Sequence, residues 1–162
     1  MSLENVIVTV EKDGKQKEKF VANYPNIRNL RGYLNGFWDF DKFNHLFPGR
    51  NKVADVDGSI ELNGHTLHIE FKASKFAMNK GQVLKAIRQA KYSNITTLFV
   101  FGEANKPVEY IRFSPDLIEG TGYVPCTKED LDAVIQDWVE YTKKFVLVAN
   151  RTEEWDITKK YC

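Results

Sequence analysis

Two adjacent residues, Asn63-Gly64, restrict this chain more than any others. Both central positions of a type I′ turn need positive φ, which Asn and Gly tolerate, so a tight hairpin is predicted over 55–72. Its register follows by counting: Leu62 faces His65, Asp57 lies across from Glu70, and Asp55 across from Lys72. Because strand side chains alternate, Asp55, Asp57, Ser59, Glu61, Thr66, His68, Glu70 and Lys72 share a polar face. Val56, Gly58, Ile60, Leu62, Leu67, Ile69 and Phe71 share the core face. Opposed carboxylates repel, and a hard divalent cation held by oxygen ligands reverses that sign. The plain alternative is an ordinary solvated sheet face. On either reading, Lys72 is expected to be replaceable at little cost to stability.

The remaining segments supply elements for this hairpin to pack on. Alternating β-branched residues predict a first hairpin over 5–22, solvated or at an edge. Ile27, Leu30, Tyr33 and Leu34 recur at helical spacing over 26–35, and Gly36 ends that helix. The run 37–47 is dense in aromatics, which at this spacing read as core; a second short helix starts at Asp39. Asn79-Lys80-Gly81-Gln82 opens a further helix with Val83, Ile87 and Ala90 on its apolar face and much of the rest basic. Its first turn overhangs the hairpin. The apolar run 96–101 predicts a strand covered on both faces beside the hairpin, with another strand at 108–113. Thr127-Lys128-Glu129-Asp130 reads as a capping box for an amphipathic helix. The tail 152–162 is polar around Trp155 and Tyr161 and is expected to pack loosely.

Composition narrows the chemistry. At 43% apolar and 28% charged, 162 residues make one globular domain with a real core. Net charge is only +1, yet residues 26–92 hold 11 Lys+Arg against 6 Asp+Glu, while residues 93–162 hold 8 against 12. Three of the six central acids are Asp55, Asp57 and Glu70, so the surface around them is basic, as a phosphate backbone requires. Cys126 and Cys162 form no disulfide framework or metal spacing and read as reduced thiols. Three histidines without a Cys-x-x-Cys pair argue against zinc. Of these, His68 either approaches the edge of the polar site or faces solvent. No phosphate loop, dinucleotide fingerprint or nucleophile elbow is present. Neither a leader nor a membrane span is read, so a cytoplasmic protein is expected.

Asp57, then Glu70-Phe71-Lys72 after a tight hairpin, resembles the D…ExK core of the PD-(D/E)xK nuclease superfamily. Gly81-Gln82 resembles the Gln that often follows it, and the run is most similar to small phage-encoded members. The likeness covers about 53–102, with Val56 in place of the Pro of the family name. It implies an α/β fold: a central mixed sheet flanked by helices, the restriction-endonuclease-like core of αβββαβ type. On that expectation 1–162 is a single domain with its core at about 26–113, the N-terminal hairpin at 5–22 and the C-terminal helix at 127–148.

The resemblance further implies a Mg²⁺- or Mn²⁺-dependent nuclease that hydrolyses phosphodiester bonds of DNA. Asp57, Glu70 and the Phe71 backbone carbonyl would hold the metal; Lys72 and Gln82 would complete the catalytic set. Asp55, opposite Lys72 in the counted register, would hold that lysine. Arg50, Lys52, Lys80, Lys85 and Arg88 would meet the DNA. The helix before the hairpin lacks the Glu that many members contribute; Asp39 and Asp41 are either helix-start acids or its replacement. Two other readings stand beside the nuclease. One is a non-catalytic nucleic-acid-binding or host-inhibiting protein on the same fold. The other is a junction resolvase, which requires a homodimer. A phage origin would place any of them in the host cytoplasm.

Overall fold

In a computed structural model of the chain, residues 3–25, 36, 39–49, 51–148 and 151–161 are described. They fall into two compact units, Met1–Ala54 and Asp55–Cys162. The first contains an antiparallel hairpin, β1 (Leu3–Lys12) and β2 (Lys15–Pro25), turning at Asp13-Gly14 with positive φ at both positions. A 3₁₀ helix follows at Phe40–Leu46, with Asp39 as its N-cap. The helix expected over 26–35 lies outside the described residues. The aromatic run differs from expectation: Phe40, Phe43 and Phe47 are exposed rather than core, and no residue of the 3₁₀ helix is buried. The 3₁₀ helix aligns Phe40, Phe43 and Leu46 on one narrow face, three residues apart, and that face stays exposed.

The second unit is a mixed α/β structure. Its five-stranded sheet has the order β3 (Gly58–Leu62), β4 (His65–Lys72), β5 (Ile95–Glu103), β6 (Lys106–Phe113) and β7 (Val124–Pro125). Asn63 and Gly64 both carry positive φ, and the counted register holds from Leu62↔His65 through Gly58↔Ile69. There the ladder stops. The expectation that it continues through Asp57↔Glu70 to Asp55↔Lys72 is therefore corrected: the chain leaves the strand at Asp57.

β4 and β5 run parallel, which demands a crossover, and helix α1 (Lys80–Ser93) supplies it. The Asn79 side chain caps its start by accepting from the Gly81 amide at 2.7 Å, and Asn94 ends it in the left-handed region. Residues 96–101 of β5 are all buried, because helices lie on both faces of the sheet. On one face Ala86 and Ala90 of α1 meet Phe99, Phe101, Ile111 and Phe113. On the other, Leu131 and Trp138 of α2 (Lys128–Lys144) meet Leu67, Leu98 and Val100. Each fully buried Leu or Phe contributes roughly 1.5–3 kcal/mol. The capping box at the start of α2 is present, Thr127 and Asp130 each bonding the other's backbone. Within the polar tail a short helix α3 forms (Arg151–Thr158), with Trp155 exposed. No helix among the described residues is long and apolar enough to cross a membrane.

The hairpin's core face is only partly core. Leu67 is buried and Ile69 packs beside it, but Ile60 is 54% and Phe71 57% exposed, since β3 is the sheet's edge and α2 packs over the inner strands. The end of α2 instead secures the hairpin turn. The Leu147 amide donates to the Asn63 carbonyl, and the His65 ring donates to the Phe145 carbonyl.

This docking makes Gly64 doubly constrained: its φ is +88°, and a Cβ there would stand 2.7 Å from Leu147 Cβ. Gly122, at φ +71°, has open space. Gly122→Ala is expected to cost about 1 kcal/mol, the conformational penalty alone, and Gly64→Ala at least about 2 kcal/mol. Equal losses in urea denaturation would mean that the α2 end does not rest on the turn.

Candidate active site

Alternation along β4 puts Thr66, His68, Glu70 and Lys72 on the sheet face that α1 covers. Parallel pairing sets Glu70 beside Phe99 and Lys72 beside Phe101. Glu70 is therefore drawn to the rim of an apolar cluster and is only 7% exposed. A carboxylate so buried requires compensation. Lys72 Nζ lies 3.1 Å from Glu70 Oε2, and Gln82 Nε2, from the first turn of α1, donates to the same oxygen at 3.5 Å. On β4 the polar face is thus an ion pair roofed by a helix, whereas Ser59 and Glu61 on β3 are exposed. Oε1 takes part in neither contact.

Asp57 reaches the same strand by another route. Its Oδ2 accepts from the Phe71 amide at 2.7 Å, occupying the donor that the lost rung of the β3 ladder would have used. The amide and carbonyl of a strand residue point to the same side, so the Phe71 carbonyl is directed toward the side where Asp57 sits. Asp57, Glu70 and the Phe71 carbonyl consequently gather at the end of β4, with Lys72 and Gln82. Asp55 does not join them. It is exposed, and the partner of Lys72 is Glu70, because the ladder that would have brought Asp55 opposite ends at Gly58. Among the described residues no group of three His, Cys, Asp or Glu side chains is placed to share a metal.

His68 sits one alternation inward from Glu70, half-buried rather than facing open water. Burial, then the Lys85 ammonium, pushes its pKa below 6.5, while a hydrogen bond the ring donates to the Gln89 side chain and the charge of Glu70 oppose the shift. Gln82, Lys85 and Gln89 accordingly form a polar stripe of α1 above β4. The proposed DNA-facing cations do not share one stripe. At about 100° per residue, Lys80 and Lys85 lie about 140° apart, with Arg88 between them on the outward side. Lys52 is exposed and belongs to the first unit, and Arg50 lies outside the described residues. Asp39 caps its 3₁₀ helix by accepting from the Asp41 amide, and Asp41 accepts from Asn44, so both act as helix-start acids.

Sequence reasoning passed over Lys75 and Tyr123. Lys75 Nζ stands 5.8 Å from the centroid of the Tyr123 ring, which packs on Phe101 at 5.5 Å. Lys72, Phe101, Tyr123 and Lys75 so form a continuous row at the end of the site. Only the β5–β6–β7 pairing, long-range in sequence, brings Tyr123 there.

The Glu70–Lys72 pair argues against Lys72 being dispensable for stability. Lys72→Ala leaves a buried carboxylate with Gln82 alone and is expected to cost about 1–3 kcal/mol in urea denaturation. Replacing both members with apolar residues, Glu70→Leu with Lys72→Met, should return most of it. A Lys72→Ala protein as stable as wild type would mean that the pair is solvated. His68 adds a pH dependence. Because folding lowers its pKa, the unfolded chain binds the proton first as pH falls. The stabilisation from neutral His68 is complete above about pH 6.5 and is lost below it, as pH falls toward the folded-state pKa. The melting-temperature advantage of wild type over His68→Gln should therefore shrink between about pH 7.5 and about pH 5.5; a constant gap would assign acid sensitivity to other groups.

No protein-family model, curated protein or solved structure matches this chain, so its function is argued from the residues gathered at the end of β4.

Proposed function

We propose that the protein is a metal-dependent DNA endonuclease of the PD-(D/E)xK type, with a restriction-endonuclease-like core. The observation that carries this reading is the buried Glu70 carboxylate held by Lys72 at 3.1 Å and by Gln82, next to Asp57 at the open end of the hairpin. The donor set suits a hard ion: two carboxylates and a carbonyl are all oxygens, and Mg²⁺ commonly takes one or two carboxylates. Asp57, Glu70 and the Phe71 carbonyl would hold Mg²⁺ or Mn²⁺, which when bound lowers the pKa of water and neutralises charge on the scissile phosphate.

The chain's own groups do the remaining work. Gln82 and Lys72 fix one oxygen of Glu70, so the carboxylate is oriented before substrate arrives. Lys72, its side chain 15% exposed, is a cation kept at the site by its partner and offsets negative charge that develops on the phosphate. Lys80, exposed at the first position of α1, adds a phosphate contact within one turn of Gln82.

Nicking of supercoiled plasmid tests this reading. Wild type should nick with Mg²⁺ or Mn²⁺ and not in chelator, and Glu70→Gln and Lys72→Ala should each lose about 100-fold or more while keeping DNA affinity. Metal binding has its own readout: Mn²⁺ at ten times its Kd should stabilise wild type by about 1.4 kcal/mol, and Asp57→Asn far less. DNA binding without cleavage, and melting indifferent to Mn²⁺, would instead leave a non-catalytic binding module.

A further inference from the structure

The connection between β4 and α1 presents one side chain in a way that its neighbours enforce. Residues Lys75–Ala77 form a single 3₁₀ turn, closed by the Ala77 amide on the Ser74 carbonyl at 3.0 Å and the Met78 amide on the Lys75 carbonyl at 3.2 Å. Both flanks are anchored. Lys75 lies over the Tyr123 ring, and Met78 packs into the cluster under α1. Phe76, between them, is 90% exposed. The closed turn and its two anchored flanks set it outward.

Its position matters as much as its exposure. Phe76 is four residues from Lys72, a span of at most about 14 Å, and Gln82, one turn into α1, already touches Glu70. The row Lys72, Phe101, Tyr123, Lys75 connects the ion pair to this corner. Lys75 and Lys80 stand on either side of the ring in sequence, both exposed. Of the acids beside this row, Glu70 is already paired with Lys72, and Glu109 is the cross-strand neighbour of Phe101. An outward ring with flanking ammonium groups is the arrangement that binds unpaired nucleotides, whose bases stack on aromatic faces while lysines meet the backbone. In a duplex the bases are already stacked on one another and offer the ring no free face.

We propose that Phe76 is a base-stacking ring that selects unpaired DNA, as a single strand or as the single-stranded arm of a branched duplex, at the Glu70–Lys72 site. The inference rests on the nuclease reading for its biological use, but its chemistry is tested without cleavage. In chelator, the full chain is titrated into a labelled oligo-dT and into a labelled blunt duplex of the same length, and anisotropy is read. Wild type should prefer oligo-dT. Phe76→Ala should weaken oligo-dT binding by about 5- to 150-fold, the range for one stacked base, and duplex binding by less than about 2-fold. Phe76→Trp should retain the preference. At 90% exposure the ring contributes little to folding, and unchanged melting of Phe76→Ala checks this.

No preference in wild type, undiminished oligo-dT binding by Phe76→Ala, or equal loss on both DNAs would overturn the proposal. The two readings fail separately. Cleavage that depends on Lys72 without selection by Phe76 removes the stacking ring alone. Selection by Phe76 in a protein that cuts nothing removes the nuclease and leaves the ring.

Discussion

A carboxylate that leaves water must find cations or donors, and the second unit is arranged so that Glu70 finds both. Its burial follows from the parallel pairing of β4 with β5, which sets it beside Phe99 at the rim of the cluster under α1. Its compensation follows from the same pairing, because a parallel neighbour requires a crossover and the crossover helix brings Gln82 over β4. Lys72 needs no tertiary help to be on the right face; alternation puts it there, two residues along. One topological decision thus sets the penalty and half of its relief. Were β5 antiparallel to β4, a short turn would join them and no helix start would stand above Glu70.

The sheet supports this corner from behind. Phe99, Phe101, Ile111 and Phe113 fill the α1 side, while Leu98, Val100 and Trp138 fill the other, so β5 cannot shift without unpacking both layers. At the opposite end of the hairpin, the segment after α2 covers the Asn63-Gly64 turn through the Phe145 carbonyl and the Leu147 amide. The hairpin is held at its turn by main-chain bonds and at its open end by Asp57 on the Phe71 amide. A site built on a strand fixed at both ends keeps its side chains in place without a ligand, which is what preorganisation means in structural terms.

Local chemistry made much of this legible in the sequence. Asn63-Gly64 determined the turn and register, because φ requirements at a two-residue loop leave few alternatives. The apolar run at 96–101 determined a strand buried on both faces, and the capping residues Asn79, Thr127 and Asp130 marked helix starts through bonds that span only a few residues. Glu70 and Lys72 on one face also followed from alternation, whereas Gln82 was singled out only by the resemblance.

Only the tertiary structure decided what those faces meet. Counting register cannot say where a ladder ends, so Asp55 opposite Lys72 was a reasonable extrapolation that fails once the chain departs at Asp57. Alternation separates two faces without saying which is covered, so Phe71 on the apolar face is exposed and Glu70 on the polar face is buried. Aromatic density at 37–47 signals a core only if another layer covers the rings, and Phe40 and Phe43, aligned on one side of their 3₁₀ helix, are exposed. The row from Lys72 through Phe101 and Tyr123 to Lys75 was beyond any local pattern, because it joins residues about 50 positions apart through three strand pairings. Short-range rules fix the conformation of each segment; burial, and with it the charge state and company of each polar group, belongs to the assembled layers.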